Sequence, residues 1–185
     1  MPEYNASPTL SRFHKSDKFV RGLMGPVGSG KSVGGCWEVF RRCCEQKPMK
    51  DGKRRSRWAV IRNTYKELKM TTYNTWHQWF QSVGRLHKQD MLFTVEWGDV
   101  EAEIIFQALD RPEDVSKLLS LELTGAFVNE AREIPKAIID MLQLRVGRYP
   151  AKVDGGATWY GIIMDTNPPD TDHWWYATFE EMRPE

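Results

Sequence analysis

The sequence predicts an α/β fold: an open, mostly parallel central sheet flanked by helices on both faces, with a β-hairpin added. Three observations carry that expectation. Short apolar runs that suit buried strands alternate with stretches of helical periodicity along the chain. A glycine-rich stretch, "GPVGSGKS" from Gly25 to Ser32, sits between one such run and one such stretch. Finally, "LFTVEWGDVEAEIIFQAL" alternates apolar and polar residues on both sides of Gly98-Asp99, the pattern of a hairpin. Strands interleaved with helices assemble into a parallel sheet covered on both sides.

The elements follow in order. Phe19, Val20, Leu23 and Met24 make the first strand. The next eight residues fit G-x-x-x-x-G-K-[ST] at Gly25, Gly30, Lys31 and Ser32, with Pro26, Val27, Gly28 and Ser29 completing the loop. Glycines let successive backbone N–H groups turn inward around phosphate oxygens. Lys31 supplies a point charge for the β- and γ-phosphates, and the Ser32 hydroxyl suits Mg²⁺. ATP and Mg²⁺ are therefore the expected cofactors. Val33, Cys36, Trp37, Phe40, Cys43 and Cys44 then recur at helical spacing, with Glu38, Arg41, Arg42 and Glu45 opposite, so a helix points its positive end at the phosphates.

"QKPMKDGKRRSR", Gln46 to Arg57, holds six basic side chains and reads as an exposed loop. It is either a solvated linker or, through Lys50, Lys53, Arg54 and Arg55, a contact for a phosphate backbone. "WAVIRNT" suits a buried strand, and Thr64-x-x-Glu67 is a capping box that starts a helix. After the hairpin, "RPEDVSKLLS" forms a short helix and Ala126 to Val128 a strand that ends at Asn129 and Glu130. Pro135 opens a helix that Gly147 closes, with Ile138, Met141, Leu142 and Arg145 on one stripe. A last buried strand in "ATWYGIIMDTNPPD" stops at Asp165, Thr166 and Asn167.

The whole-chain properties narrow the class. At 185 residues there is room for one well-buried core, so a single domain over residues 1–185 is expected. Twenty-six basic and 25 acidic side chains leave a net charge of +1 and no global field, although a local basic patch stays open. "MPEYNASPTL" lacks the apolar core of a signal peptide and no run approaches membrane-spanning length, so a cytoplasmic protein is expected. Three cysteines, two of them adjacent, read as reduced core residues. The four histidines have no zinc-site spacing, and no nucleophile elbow occurs.

A P-loop ATPase that activates water needs a base near the γ-phosphate, usually a glutamate behind a Mg²⁺-holding aspartate at the end of a strand. "AFVNE" offers Glu130 as the base and puts Asn129 in the aspartate's place. An amide oxygen can accept from Ser32 or from a metal-bound water, but it brings no negative charge to a hard cation. Asp165, Thr166 and Asn167 stand at the carboxyl edge of the sheet, where one of them can sense the γ-phosphate, or else they cap the turn before Pro168.

Taken together, "GPVGSGKS", "VIRNTYKEL", "LELTGAFVNEARE", "LQLRVGRYP" and "DTNPPDTDHWW" resemble, in this order, the large terminase subunits of tailed double-stranded DNA phages. The resemblance implies an ASCE-type P-loop NTPase, the motor half of a viral packaging machine that hydrolyses ATP to translocate double-stranded DNA into a procapsid. It implies a portal protein and a small terminase subunit as partners, a homo-oligomeric ring on the portal, a monomer in isolation, and the host cytoplasm as the compartment. By the same resemblance Lys31 binds phosphates, Ser32 and Asn129 serve the metal, Glu130 activates water, and Thr166 or Asn167 couples γ-phosphate status to movement. Phe13 and His14 are candidates for contact with adenine. Such terminases commonly have an aspartate at the position of Asn129 and an arginine just before the segment matching Leu121-Glu122, where "SKLLS" offers Lys117. Arg145, Arg148 and Arg111 are the remaining finger candidates, with Arg148 preferred because Gly147 and Pro150 frame an exposed turn. The nuclease domain usual in these proteins has no room within this chain. A helicase-like translocase and an ATP-binding module without hydrolysis are the rival readings.

Overall fold

The computed structural model describes residues 3–109 and 114–180. In chain order the elements are α1 (Pro8–Lys15), β1 (Val20–Met24), α2 (Lys31–Glu45), β2 (Arg54–Arg62) and α3 (Tyr65–Leu68). A π-helical turn, Lys69–Tyr73, joins α3 to α4 (Asn74–Phe80). Then come β3 (Gly84–His87), β4 (Leu92–Trp97), β5 (Val100–Ala108), α5 (Val115–Leu118), β6 (Gly125–Val128), α6 (Lys136–Arg145), β7 (Gly161–Thr166) and α7 (Trp174–Phe179). The strands form one seven-stranded sheet in the order β1-β7-β6-β2-β5-β4-β3. The first five in that order are parallel; β4 runs antiparallel to β5, and β3 antiparallel to β4.

Period-two alternation divides the inner strands between two apolar layers. Trp58, Val60, Phe127 and Ile163 pack on one face with Leu10 and Phe13 of α1, Cys36, Val39 and Phe40 of α2, and Trp76 and Phe80 of α4. Ala59, Ile61, Ala126, Val128, Ile162 and Met164 pack on the other with Leu118, Ile138, Ile139, Leu142 and Trp175. The expected sheet with helices on both faces is thus present. The expected hairpin is β4–β5, and it continues the main sheet because β5 pairs in parallel with β2. Helix α2 lies so close to β6 that a Cβ at Gly35 would stand 2.2 Å from the Phe127 ring. Cys36, Cys43 and Cys44 are free, and burial pushes the thiols of the first two up. Among the described residues no helix is long and apolar enough to cross a membrane.

Two expectations about charge are corrected. Glu38 and Arg42, which helical spacing sets opposite the apolar stripe of the P-loop helix, are buried all the same. The Glu38 carboxylate receives Arg21 Nη2 at 2.7 Å, Arg42 Nε at 2.9 Å, Arg41 and His14 Nδ1 at 2.7 Å, because α1 and β1 close over that side of α2. Burial would raise the Glu38 carboxyl, but these four partners hold it down at about 2. The basic segment is also not a free loop throughout. Strand β2 begins at Arg54, and its register sets Arg55 beside Glu101 and Arg57 beside Glu103. Arg54 pairs with Asp99 at 2.7 Å, Arg55 with Asp51 and Glu101, and Lys53 with Glu101 at 3.1 Å, so carboxylates already neutralise three of the four candidate DNA contacts. Lys50 stays exposed.

Among the described residues, strand β1 forms one end of the sheet and pairs only with β7. A groove lined by residues of α1, β1 and α7, among them Phe13, Leu23 and Phe179, opens beside it.

Candidate active site

The carboxyl ends of β1, β7 and β6 lie side by side, and the P-loop leaves the first of them. Gly28 and Gly30 have φ of 77° and 79°, the left-handed region in which a side chain would be strained, so the loop can curl its N–H groups inward. Ser29 Oγ donates to Pro26 O at 2.8 Å, and Gly25 N donates to Thr166 O at 3.2 Å, tying the loop to β7. Val27 is exposed at the loop tip, whereas Lys31 is buried in the first turn of α2. The Lys31 ammonium donates to Gly25 O and Pro26 O, both at 2.8 Å, and to Asn167 Oδ1 at 3.0 Å.

Alternation carries the sheet's inner pattern one step past its apolar residues. Ile163 faces α2, so Asp165 does too; Phe127 faces α2, so Asn129 does too. Val128 pairs with Met164, which brings Asn129 and Asp165 side by side beneath the start of α2. There Asn129 Nδ2 donates to Asp165 Oδ1 at 2.8 Å and to Ser32 Oγ at 2.9 Å, while Ser32 Oγ donates to Asp165 Oδ2 at 3.1 Å. Asn129 Oδ1 is taken by the Thr72 hydroxyl at 2.8 Å. This corrects the expectation that Asn129 offers its oxygen to Ser32 or the metal. A carboxylate neighbour needs a donor, so the amide turns its NH₂ inward and its oxygen away. Burial pushes the Asp165 carboxyl up to about 6 against the pull of its donors, the Glu130 N–H foremost.

Glu130 follows with φ 53° and ψ 56°, a left-handed backbone that costs a non-glycine residue about 1 kcal/mol or more. Its N–H donates to Asp165 Oδ1 at 2.8 Å. Its carboxylate accepts from Asn167 Nδ2 at 3.2 Å and from Asn167 N at 3.3 Å. Asn167 therefore bridges Lys31 and Glu130. Thr166 does not join them: β7 turns it to the opposite face, fully buried, where its hydroxyl donates to Asn167 O at 2.9 Å.

A comparison with family models matches residues 17–184 to the phage terminase large subunit. The chain belongs to that family. Solved terminase structures share its fold. A large terminase from a thermophilic bacteriophage, in complex with ADP, is 17% identical at a TM-score of 0.72, over 94% of this chain and 40% of that one. The large terminase ATPase domain of Thermus phage P74-26 is 17% identical at a TM-score of 0.62, over 95% of this chain and 70% of the other. The N-terminal domain of the DNA packaging ATPase from bacteriophage phi29 is 17% identical at 0.60, over 98% and 87%. This terminase chain spans about two fifths of the length of the first. A search of curated proteins found no match.

The other described candidates of this terminase lie outside the hydrogen-bonded cluster of Lys31, Ser32, Asn129, Glu130, Asp165 and Asn167. Phe13 is packed in the core, and His14 is engaged on both ring nitrogens, by Glu38 and by the Tyr4 hydroxyl at 2.8 Å, so each is explained by packing. Arg148 is exposed, with its N–H on Leu123 O at 3.0 Å. Leu123 precedes β6 and Asn129 follows it, so roughly 20 Å of extended chain separates Arg148 from the site in its own subunit. Arg145 is half-buried on α6, Arg111 lies outside the described residues, and the Lys117 side chain is likewise outside them. Asp165 and Thr72 are the hydrogen-bond partners of Ser32 and Asn129 that motif matching did not single out. The alternation of apolar residues before Asp165 is the signal that points to the first.

Proposed function

We propose that this chain is the ATP-hydrolysing motor domain of a packaging terminase, driving double-stranded DNA through a portal into a procapsid. The observation that carries this reading is the connection Lys31–Asn167–Glu130, which joins the phosphate-recognising charge to the candidate base through one amide. The N–H groups of Gly28 to Ser32 and the Lys31 ammonium bind the β- and γ-phosphates. Ser32 and Asp165 provide hard oxygen donors at the start of α2, a set that fits Mg²⁺, which when bound neutralises charge on the phosphate oxygens. Glu130 holds the attacking water and takes its proton. Asn167 loses a partner whenever the lysine turns to a γ-phosphate, so its grip on Glu130 reports the state of the nucleotide. Membership of the family and the ADP complex of a related terminase support nucleotide binding. The portal protein, the small subunit, a ring of copies and the host cytoplasm belong to the same reading. Steady-state phosphate release tests it. Hydrolysis stimulated by double-stranded DNA is expected, and nucleotide binding with no release under any condition would leave an ATP-binding module instead.

A further inference from the structure

We infer that the carboxylate serving Mg²⁺ in this terminase has moved one strand across the sheet, from position 129 on β6 to Asp165 on β7. The inference rests on the ATPase reading and deepens it. A Mg²⁺ ion at a P-loop is held by the loop's serine or threonine together with an aspartate. Position 129, where that aspartate is expected, carries a neutral amide whose oxygen is already committed to Thr72. The neighbouring strand brings a carboxylate to the same spot. Asp165 is 1% exposed, accepts the Ser32 hydroxyl at 3.1 Å, and lies beside Asn129 in the sheet register on the face that looks toward α2. The pair Asn129–Asp165 has the same total charge as an aspartate and asparagine in the reverse order. Because an asparagine at 165 could donate to an aspartate at 129, exchanging the two residues keeps the charge, the volume and the link to Ser32. A carboxylate needed only to brace Asn129 and the Glu130 N–H would not move the metal dependence of nucleotide binding.

The test is a Mg²⁺ titration of the binding of a fluorescent ADP analogue, with EDTA as the metal-free reference. For Asp165→Asn, the Mg²⁺ midpoint, read for each protein relative to its own binding in EDTA, is expected to rise tenfold or more above the parent's. The exchanged double variant Asn129→Asp/Asp165→Asn is expected to return the midpoint to within about threefold of the parent, and it decides the matter if the single variant fails to fold. An Asp165→Asn midpoint equal to the parent's, a parent indifferent to Mg²⁺, or a folded double variant that stays shifted would each overturn the assignment while leaving nucleotide binding in place. A parent that binds no nucleotide with or without metal would overturn the ATPase reading itself.

Discussion

Lys31 and Glu130 meet the same asparagine, but the roles proposed for them differ, so their substitutions should separate cleanly. Lys31→Ala removes the charge that recognises phosphate, and nucleotide affinity should fall below detection in a titration. Glu130→Gln keeps the hydrogen bond from Asn167 and loses the base: affinity should hold while single-turnover hydrolysis drops by about 10²–10⁴-fold. Parent-like hydrolysis by Glu130→Gln would remove the base assignment. Glu38 offers a test of stability apart from the site. Replacing it by glutamine leaves Arg21 buried without its counter-charge and Arg42 with only the exposed Asp17 and Glu45, at a cost of about 3 kcal/mol. The sign with pH follows from its carboxyl being held at about 2, below its value in the unfolded chain. The stabilisation is complete above the unfolded carboxyl's range and is lost as pH falls toward 2. Urea melts of parent and Glu38→Gln should therefore differ most at neutral pH and converge in acid; a gap independent of pH would mean that packing, and not ionisation, sets it.

Strand β2 shows how an element changes the meaning of its residues. Read as a chain of letters, Lys53, Arg54 and Arg55 make a basic patch; paired with β5, they make one side of a ladder of opposite charges. Neutralising the three should leave the salt dependence of DNA binding unchanged, since counterions are released only by charges that meet phosphate. A slope that falls by about three in such a titration would place DNA on this strand after all. The P-loop, the helix after it and the β4–β5 hairpin were legible because their signals are local: glycine spacing, helical periodicity, strict alternation. The pairing of β2 with β5 was not, because parallel neighbours come from distant segments. For the same reason Glu38 and Arg42 stand opposite the apolar stripe on helix periodicity alone, although α1 and Arg21 cover them from outside the helix. At the site, motif matching named Lys31, Ser32 and Glu130, which the structure gathers at the carboxyl ends of β1, β6 and β7. It also named Thr166 beside Asn167, though period-two alternation along β7 turns those two residues to opposite faces.

On the scale of the whole molecule, the distance between Arg148 and its own P-loop matters most. An arginine that reaches the transition state from a neighbouring subunit can contribute ~10³-fold or more, and Arg148 is exposed at the far end of β6 from its own P-loop, so any finger role proposed for it acts in a neighbour's site. Turnover per domain should rise steeply with protein concentration. Mixing Arg148→Ala with Lys31→Ala should restore part of the rate, because sites that keep Lys31 then meet intact Arg148. A rate flat with concentration and no rescue on mixing would exclude this arginine as a finger. The free side of β1 bears on how such a series is read. A strand paired on one side only leaves a row of amide and carbonyl groups that can template a second chain. Two copies joined there in antiparallel fashion would build a continuous fourteen-stranded sheet, twice the seven of one chain, with the two phosphate loops on opposite edges of it. Light scattering would register that species as a dimer, apart from any change in phosphate release.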